Sequence, residues 1–148
     1  MTQEERLEFY QHILDRSNEA GRFSSNNGIH YDELDLEHAT GHFVATPDLC
    51  NPFGICHGGA YYTMMDQLAG MIAGATGRGA VTMNCSVNYL TAAKQGDTVR
   101  CVVKPVKVGR SVGVYRAECF GAGGELQCEG TFHMFFLGDV TKMVREGK

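Results

Sequence analysis

Residues 51–76 read NPFGICHGGAYYTMMDQLAGMIAGAT. Asn51, Pro52 and Gly54 are turn residues. His57-Gly58-Gly59 follows, and then about five helical turns of mostly apolar residues, with one carboxylate, Asp66, in their middle. A lone acid in an apolar helix has three readings. A membrane span needs about 20 apolar residues. Asp66 near its centre would cost roughly 2.5–3.5 kcal/mol, Gln67 adds to that, and no basic residues flank the segment closely on both sides, so this reading is rejected. The second reading is a buried core helix with Asp66 on its rim. The third is a catalytic helix. Its first turn offers backbone N–H groups and the positive end of the dipole, which hold an oxyanion. Gly58 and Gly59 let a substrate approach that backbone, and Asp66 supplies a general base or nucleophile.

Spacing sharpens the third reading. Asp66 lies eight residues after Gly58, about 12 Å along one helix axis. One small carbonyl cannot touch both groups of the same helix. If both act on it, Asp66 comes from a second copy of the chain, so a homodimer with shared sites is expected.

The chain has 148 residues, enough for one domain (1–148) with a real core. Its net charge of −4 argues against a nucleic-acid partner. MTQEERLEFY has no apolar h-region, so no secretory signal is expected. The six cysteines (50, 56, 85, 101, 119 and 128) form no C-x-x-C pair. Reduced thiols and a cytoplasmic setting fit them better than a disulfide framework.

From the N-terminus, Thr2 and Glu5 make a capping-box pattern. Leu7, Tyr10, Ile13 and Leu14 recur at helical spacing, which predicts a helix over Gln3–Asn18. Ser24–Gly28 reads as a polar loop. Residues 29–36 and 39–46 read as a strand hairpin turning near Glu37. The stretch from Gly77 to Gly79 ends the central helix. Four strands follow, over 81–90, 98–108, 112–120 and 126–137. In the first of these, Val81, Met83, Cys85, Val87 and Tyr89 alternate with polar residues, a period of two that implies one apolar face. Pro105 marks a bulge or an edge in the second. The segment 138–148 reads as a polar, fraying tail. The expected class is α+β: an antiparallel sheet of five to six strands wrapped around one central helix, with an extra N-terminal helix.

With this order of elements, Asn51-x-x-Gly54-x-x-His57-Gly58-Gly59 and Asp66 nine residues after the histidine, the chain resembles the hotdog-fold acyl-CoA thioesterases. It is most similar to the phenylacetate-pathway and thioesterase superfamily member 2 group, from about Ile29 to Leu137. The resemblance implies an acyl-CoA substrate. It implies that the backbone N–H of Gly58 polarises the thioester carbonyl. It further implies that Asp66 of the opposite subunit attacks or activates water, that Asn51 orients the reacting groups and that Thr82 positions the water. It also implies a homodimer of continuous sheets, often paired into a homotetramer, and it brings no cofactor.

Each residue has a plainer reading. Asp66 could be a solvent-facing or structural carboxylate, and Gly58 and Gly59 simple close packing. His57, just before the helix, fits capping or loop anchoring better than proton transfer. Asn51 before Pro52 is a turn residue, and Thr82 could be the polar face of a strand. Tyr61, Tyr62 and Met65 are candidate walls of an acyl pocket or plain core. Arg110, with Lys107 and Arg78, is a candidate for the CoA phosphates or a solvated hairpin tip. Substrate-binding roles are therefore expected at His57, Gly59, Tyr62 and Arg110.

Gly109-Arg110-Ser111-Val112-Gly113 matches G-x-S-x-G, but strand residues follow it, so it is read as a hairpin turn and not a nucleophile elbow. No metal is expected, because His38 and His42 lack further ligands. Gly121-Ala122-Gly123-Gly124 has no helix after it and is no dinucleotide fingerprint. Two rival functions remain. A non-catalytic acyl-CoA binding module would bind without releasing CoA. A hydratase on the same fold would use Asp48 and His57.

Overall fold

Thr2 caps the first helix, α1 (Gln3–Ser17), in the computed structural model, which describes residues 1–146. The Thr2 hydroxyl accepts from the Glu5 N–H at 3.1 Å, and the Glu5 carboxylate accepts from the Thr2 N–H at 2.7 Å. The expected capping box is therefore present. The buried stripe is Phe9, Tyr10 and Leu14. Leu7 faces solvent instead, because α1 touches the sheet along a narrower stripe than its apolar residues suggest. The expected polar loop after α1 holds a short helix, α2 (Phe23–Asn26). Buried Ser24 anchors it by pairing its hydroxyl with that of Tyr31 at 2.7 Å.

The strands are β1 (His30–Leu34), β2 (Ala39–Val44), β3 (Arg78–Tyr89), β4 (Thr98–Val108), β5 (Val112–Phe120) and β6 (Leu126–Asp139). They form one antiparallel sheet in the order β1-β2-β4-β5-β6-β3. The central helix α3 (Gly58–Gly74) packs against every strand. Met64, Met65, Leu68, Ala69 and Ile72 are its core side, facing Phe43, Val99, Val103, Tyr115, Phe132 and Met134. Burial of each large apolar side chain contributes about 1.5–3 kcal/mol, so this face of α3 holds sheet and helix together.

Several boundaries differ from expectation, β1 and β2 being shorter than the expected 29–36 and 39–46. Of Gly77 and Gly79 only Gly77, at φ 84°, takes the left-handed conformation, and strand pairing resumes at Arg78. The expected fraying tail continues β6 to Asp139 and then forms a helix, α4 (Thr141–Arg145). Asp139 starts α4 by accepting from the Thr141 N–H at 2.8 Å. The remainder of the tail, residues 147–148, lies outside the described residues.

The bulge expected near Pro105 is present, between Pro105 and Lys107. A second bulge was not anticipated. β3 pairs Thr82 with Met134 but Asn84 with His133, so Met83 is an extra residue. The two sheet edges also differ. β1 has five residues and carries Asp32 and Glu33, the usual protection of an edge. β3 has twelve and exposes Val81, Met83 and Tyr89 at 47%, 58% and 55%.

Candidate functional site

Helix α3 begins where a tight loop delivers it. Cys50 and Cys56 face each other across this loop, held by the Asn51 N–H on the Ile55 carbonyl (2.9 Å) and the His57 N–H on the Leu49 carbonyl (2.7 Å). Inside the loop, the Asn51 side-chain oxygen accepts from the Phe53 N–H at 3.0 Å and from the Ile55 N–H at 3.5 Å. Asn51 is thus a turn former through its oxygen. Its side-chain NH₂ donates to no group among the described residues.

His57 is the N-cap of α3, and its Nδ1 accepts from the Gly59 N–H at 3.0 Å. The Ala60 N–H returns to the His57 carbonyl at 3.0 Å. The Gly58 N–H alone in this first turn donates to no group among the described residues. Of the two glycines, Gly58 therefore keeps the open donor, at the positive end of the helix dipole. A Cβ on Gly58 would meet the Tyr89 ring at 3.0 Å. Glycine there lets the ring lie close to the helix start.

Asp66 sits two turns further on, half-buried. Its Oδ1 accepts from the Thr82 hydroxyl at 2.7 Å. The bulge at Met83 makes this contact. Before it, Ala80 and Thr82 lie on the helix side of β3; after it, Cys85 and Val87 do. The alternating reading placed Val81 and Met83 on the apolar inner face, and both are turned out to solvent.

Tyr62 is one helical turn before Asp66 and lines the same cavity, of about 520 Å³. Its hydroxyl lies 3.0 Å from the Cys85 thiol. That hydrogen bond, with burial second, pushes the phenol up to about 12. Tyr61 and Met65 are both buried in the core, and Tyr61 also borders a cavity of about 220 Å³ beside Gly58 and Tyr89. The Tyr61 hydroxyl donates to Gln127 at 2.7 Å and accepts from the Ala93 N–H at 2.9 Å, a network the sequence signals nowhere.

Arg110 is exposed at the β4–β5 hairpin tip, which closes with the Gly109 N–H on the Val112 carbonyl at 2.9 Å. The G-x-S-x-G stretch is thus a strand-to-strand turn. Arg78, grouped with Arg110 as a phosphate candidate, is engaged elsewhere. It donates to the Gly109 and Arg110 carbonyls, each at 3.0 Å, and its guanidinium stacks 3.5 Å above the Phe136 ring.

Asp48 and His57 border one cavity of about 230 Å³. The His57 Nδ1 is already occupied by Gly59, and no hydrogen bond joins His57 to Asp48 among the described residues. His42 pairs with Asp32 at 2.8 Å and His38 with Glu33 at 3.1 Å, in surface contacts.

Residues 53–128, just over half of the chain, match the thioesterase superfamily. The chain belongs to this family. The match runs from within the loop through α3, β3, β4 and β5 to the start of β6, and so includes Gly58, Asp66 and Thr82. Among its relatives, 1,4-dihydroxy-2-naphthoyl-CoA thioesterase 2 of Arabidopsis thaliana is 32% identical over 97 residues, 64% of this chain and 62% of that protein. The matched region is thus less than two thirds of that relative's length. A hypothetical thioesterase protein of Streptococcus pneumoniae TIGR4, solved with coenzyme A, superposes with a TM-score of 0.71 at 28% identity. It covers 75% of this chain and 90% of its own. The Escherichia coli PaaI protein reaches a TM-score of 0.82 over 94% of this chain and 98% of its own, and at 19% identity it confirms the fold. The resemblance to the hotdog thioesterases thus holds for family and fold alike.

Proposed function

We propose that this protein is an acyl-CoA thioesterase whose sites are each built from two copies of the chain. One observation carries the reading: the Thr82–Asp66 pair and the open Gly58 N–H belong to the same helix–strand unit. They are about 12 Å apart along the α3 axis, too far to share one carbonyl. A two-fold axis relating a pair of chains brings one chain's Gly58 to the other's Asp66. The long exposed apolar edge of β3 supports pairing with a second β3, which buries Val81, Met83 and Tyr89 and removes an unprotected edge. Exposed Val106, Phe135 and Leu137 support further pairing of dimers into tetramers.

In this reading the partner subunit's Gly58 donates its N–H to the thioester oxygen, and the helix dipole stabilises the negative charge that develops there. Thr82 holds Asp66 Oδ1, which leaves Oδ2 to act on the acyl carbon directly or on a water. By the direct route the C–S bond breaks as an anhydride forms between the acyl group and Asp66, and water then hydrolyses it. By the other route water adds to the carbonyl carbon and the C–S bond breaks. In both the CoA thiolate leaves and takes up a proton. The products are the free acid and CoA. Asn51 turns its unused NH₂ toward the reacting groups, His57 and Gly59 hold the helix start, and Tyr62 walls the cavity beside Asp66. Arg110 takes a CoA phosphate at the cleft mouth. The coenzyme A complex of the Streptococcus relative supports the substrate class. Six free cysteines support a reducing compartment such as the cytoplasm. No helix among the described residues is long and apolar enough to cross a membrane.

The test is thiol release from a panel of aliphatic and aromatic acyl-CoAs. Wild type should cleave part of the panel, and Asp66→Asn should lose nearly all turnover while keeping the wild-type oligomeric state. Full turnover by Asp66→Asn would overturn the mechanism. Tight acyl-CoA binding with no CoA release by wild type would make the protein a binding module.

A further inference from the structure

Two cavities meet at Asp66, and they differ in chemistry. The one that includes Tyr62 is walled largely by polar groups, among them Arg16, Ser17, Arg22, Ser24 and Thr63. The other, of about 400 Å³, runs toward the C-terminal end of α3, between α1, α3 and β3. It begins at the Asp66–Thr82 pair and continues between Phe9, Ile13, Met71, Gly74, Ala80 and Met134. An apolar group placed in the first cavity would strip water from polar side chains without replacing their hydrogen bonds. Beyond Asp66 the second cavity is walled mainly by apolar residues, with Ser17, Gln67 and Arg78 also lining it.

The floor of that slot is also left open. Gly70 and Gly74 are one helical turn apart, and neither has a positive φ that would require glycine. A Cβ on Gly74 would meet nothing within 4 Å, and one on Gly70 only the Met134 Cε at 3.9 Å. Glycine weakens a helix relative to alanine, and no close packing asks for it at these two positions. The outer wall is α1, through Phe9 and Ile13. This helix lies outside the region that matches the thioesterase superfamily, residues 53–128.

We propose that this slot takes the acyl group as an uncharged apolar chain, and that Ile13 of α1 and Gly74 of α3 set the chain length accepted. The inference rests on the acyl-CoA reading above and adds the substrate class to it. The thioester carbon lies at the Asp66–Thr82 end, and the chain runs from there toward Gly74. Each methylene that enters such a slot strengthens transition-state binding about fourfold, until the slot is full.

The experiment is kcat/KM for straight-chain acyl-CoAs from acetyl to dodecanoyl, with wild type, Gly74→Leu, Gly74→Ala and Ile13→Ala. Wild type should rise with chain length to an optimum. Gly74→Leu should move that optimum to shorter chains and lower kcat/KM for the wild-type optimum by about tenfold or more. Gly74→Ala, whose Cβ enters open space on a better helix former, should give a smaller shift in the same direction. It serves if the leucine variant folds poorly. Ile13→Ala should move the optimum to longer chains. An unchanged chain-length profile in the alanine variants overturns the slot while leaving the thioesterase reading intact. If wild type cleaves no ester, binding of non-hydrolysable alkyl-CoA thioethers decides. Affinity that rises with chain length and is lost in Gly74→Leu keeps the slot and ends the catalytic reading; affinity independent of chain length ends the slot.

Discussion

The Thr82 hydroxyl donates to Asp66 Oδ1 at 2.7 Å because one extra residue, Met83, turns the first part of β3 over. A hydrogen bond to a charged group is worth about 1.5–3 kcal/mol, and this one fixes which carboxylate oxygen is free. Thr82→Ala should lower kcat by about 10–100-fold. Thermal stability should barely move, because Thr82 is exposed. Thr82→Ser should retain most of the rate and Thr82→Val should behave like alanine. Steady-state kinetics beside a melting curve checks this; equal kcat in Thr82→Ala would remove Thr82 from the mechanism.

Sites shared between subunits make a mixing experiment decisive. Gly58→Pro deletes the one open N–H at the first helical position, where the helix backbone accepts proline and the Tyr89 ring must shift to make room. His57, at φ −66° and ψ 136°, already has the conformation that a following proline favours. Gly58→Pro and Asp66→Asn should each be nearly inactive alone. In a mixed dimer one site carries both defects and the other neither. Equal mixing with subunit exchange should therefore restore about one quarter of wild-type activity. No recovery, with mixed dimers demonstrated by mass, would place each site within one chain.

His57 is expected to matter for stability more than for proton transfer, since its Nδ1 caps Gly59 at 3.0 Å. His57→Ala should destabilise the fold by about 1 kcal/mol, measured by urea unfolding, and His57→Asn should recover most of it. The pH profile of kcat between about pH 5 and 8 should keep its shape in His57→Asn. Loss of a limb there would make His57 an acid or base.

Alkali should unfold the protein through its buried thiols and phenols. Burial first, then neighbouring thiols, pushes Cys56 and Cys128 from 9.0 up to about 12. Burial likewise pushes Tyr31 and Tyr115 from 10.0 up to about 12. Between about pH 9 and 12 the unfolded chain releases protons that the native chain still holds. The native state then binds more protons, so stability present below pH 9 falls as pH rises through that window. Urea midpoints should drop across it, and the slope should be shallower in a Cys56→Ala, Cys128→Ala double variant. A slope unchanged by the double variant would assign the loss to other groups.

Local patterns carried much of this protein. The 3.6-residue period of α1, the apolar run of α3, the turn chemistry of Asn51 and Gly54, the glycines at Gly58 and Gly59 and the period of two over residues 81–90 are properties of near neighbours in the chain. They led to one helix inside an antiparallel sheet, with Asp66 and Gly58 too far apart to act in one copy. Facing and partner choice came from residues distant in sequence. Val81 and Met83 alternate like inward residues, yet pairing with β6 inserts the bulge that turns them out and brings Thr82 in. Arg78 carries a charge that suggests a phosphate, yet two hairpin carbonyls and the Phe136 ring hold it. Tyr61 sits beside Tyr62 on α3, yet Gln127 and Ala93 fix it in the core. Periodicity reports which residues are able to share a face. Which face meets the core, and which buried polar group finds which partner, is settled only when strands and helices from the whole chain compete for the same contacts.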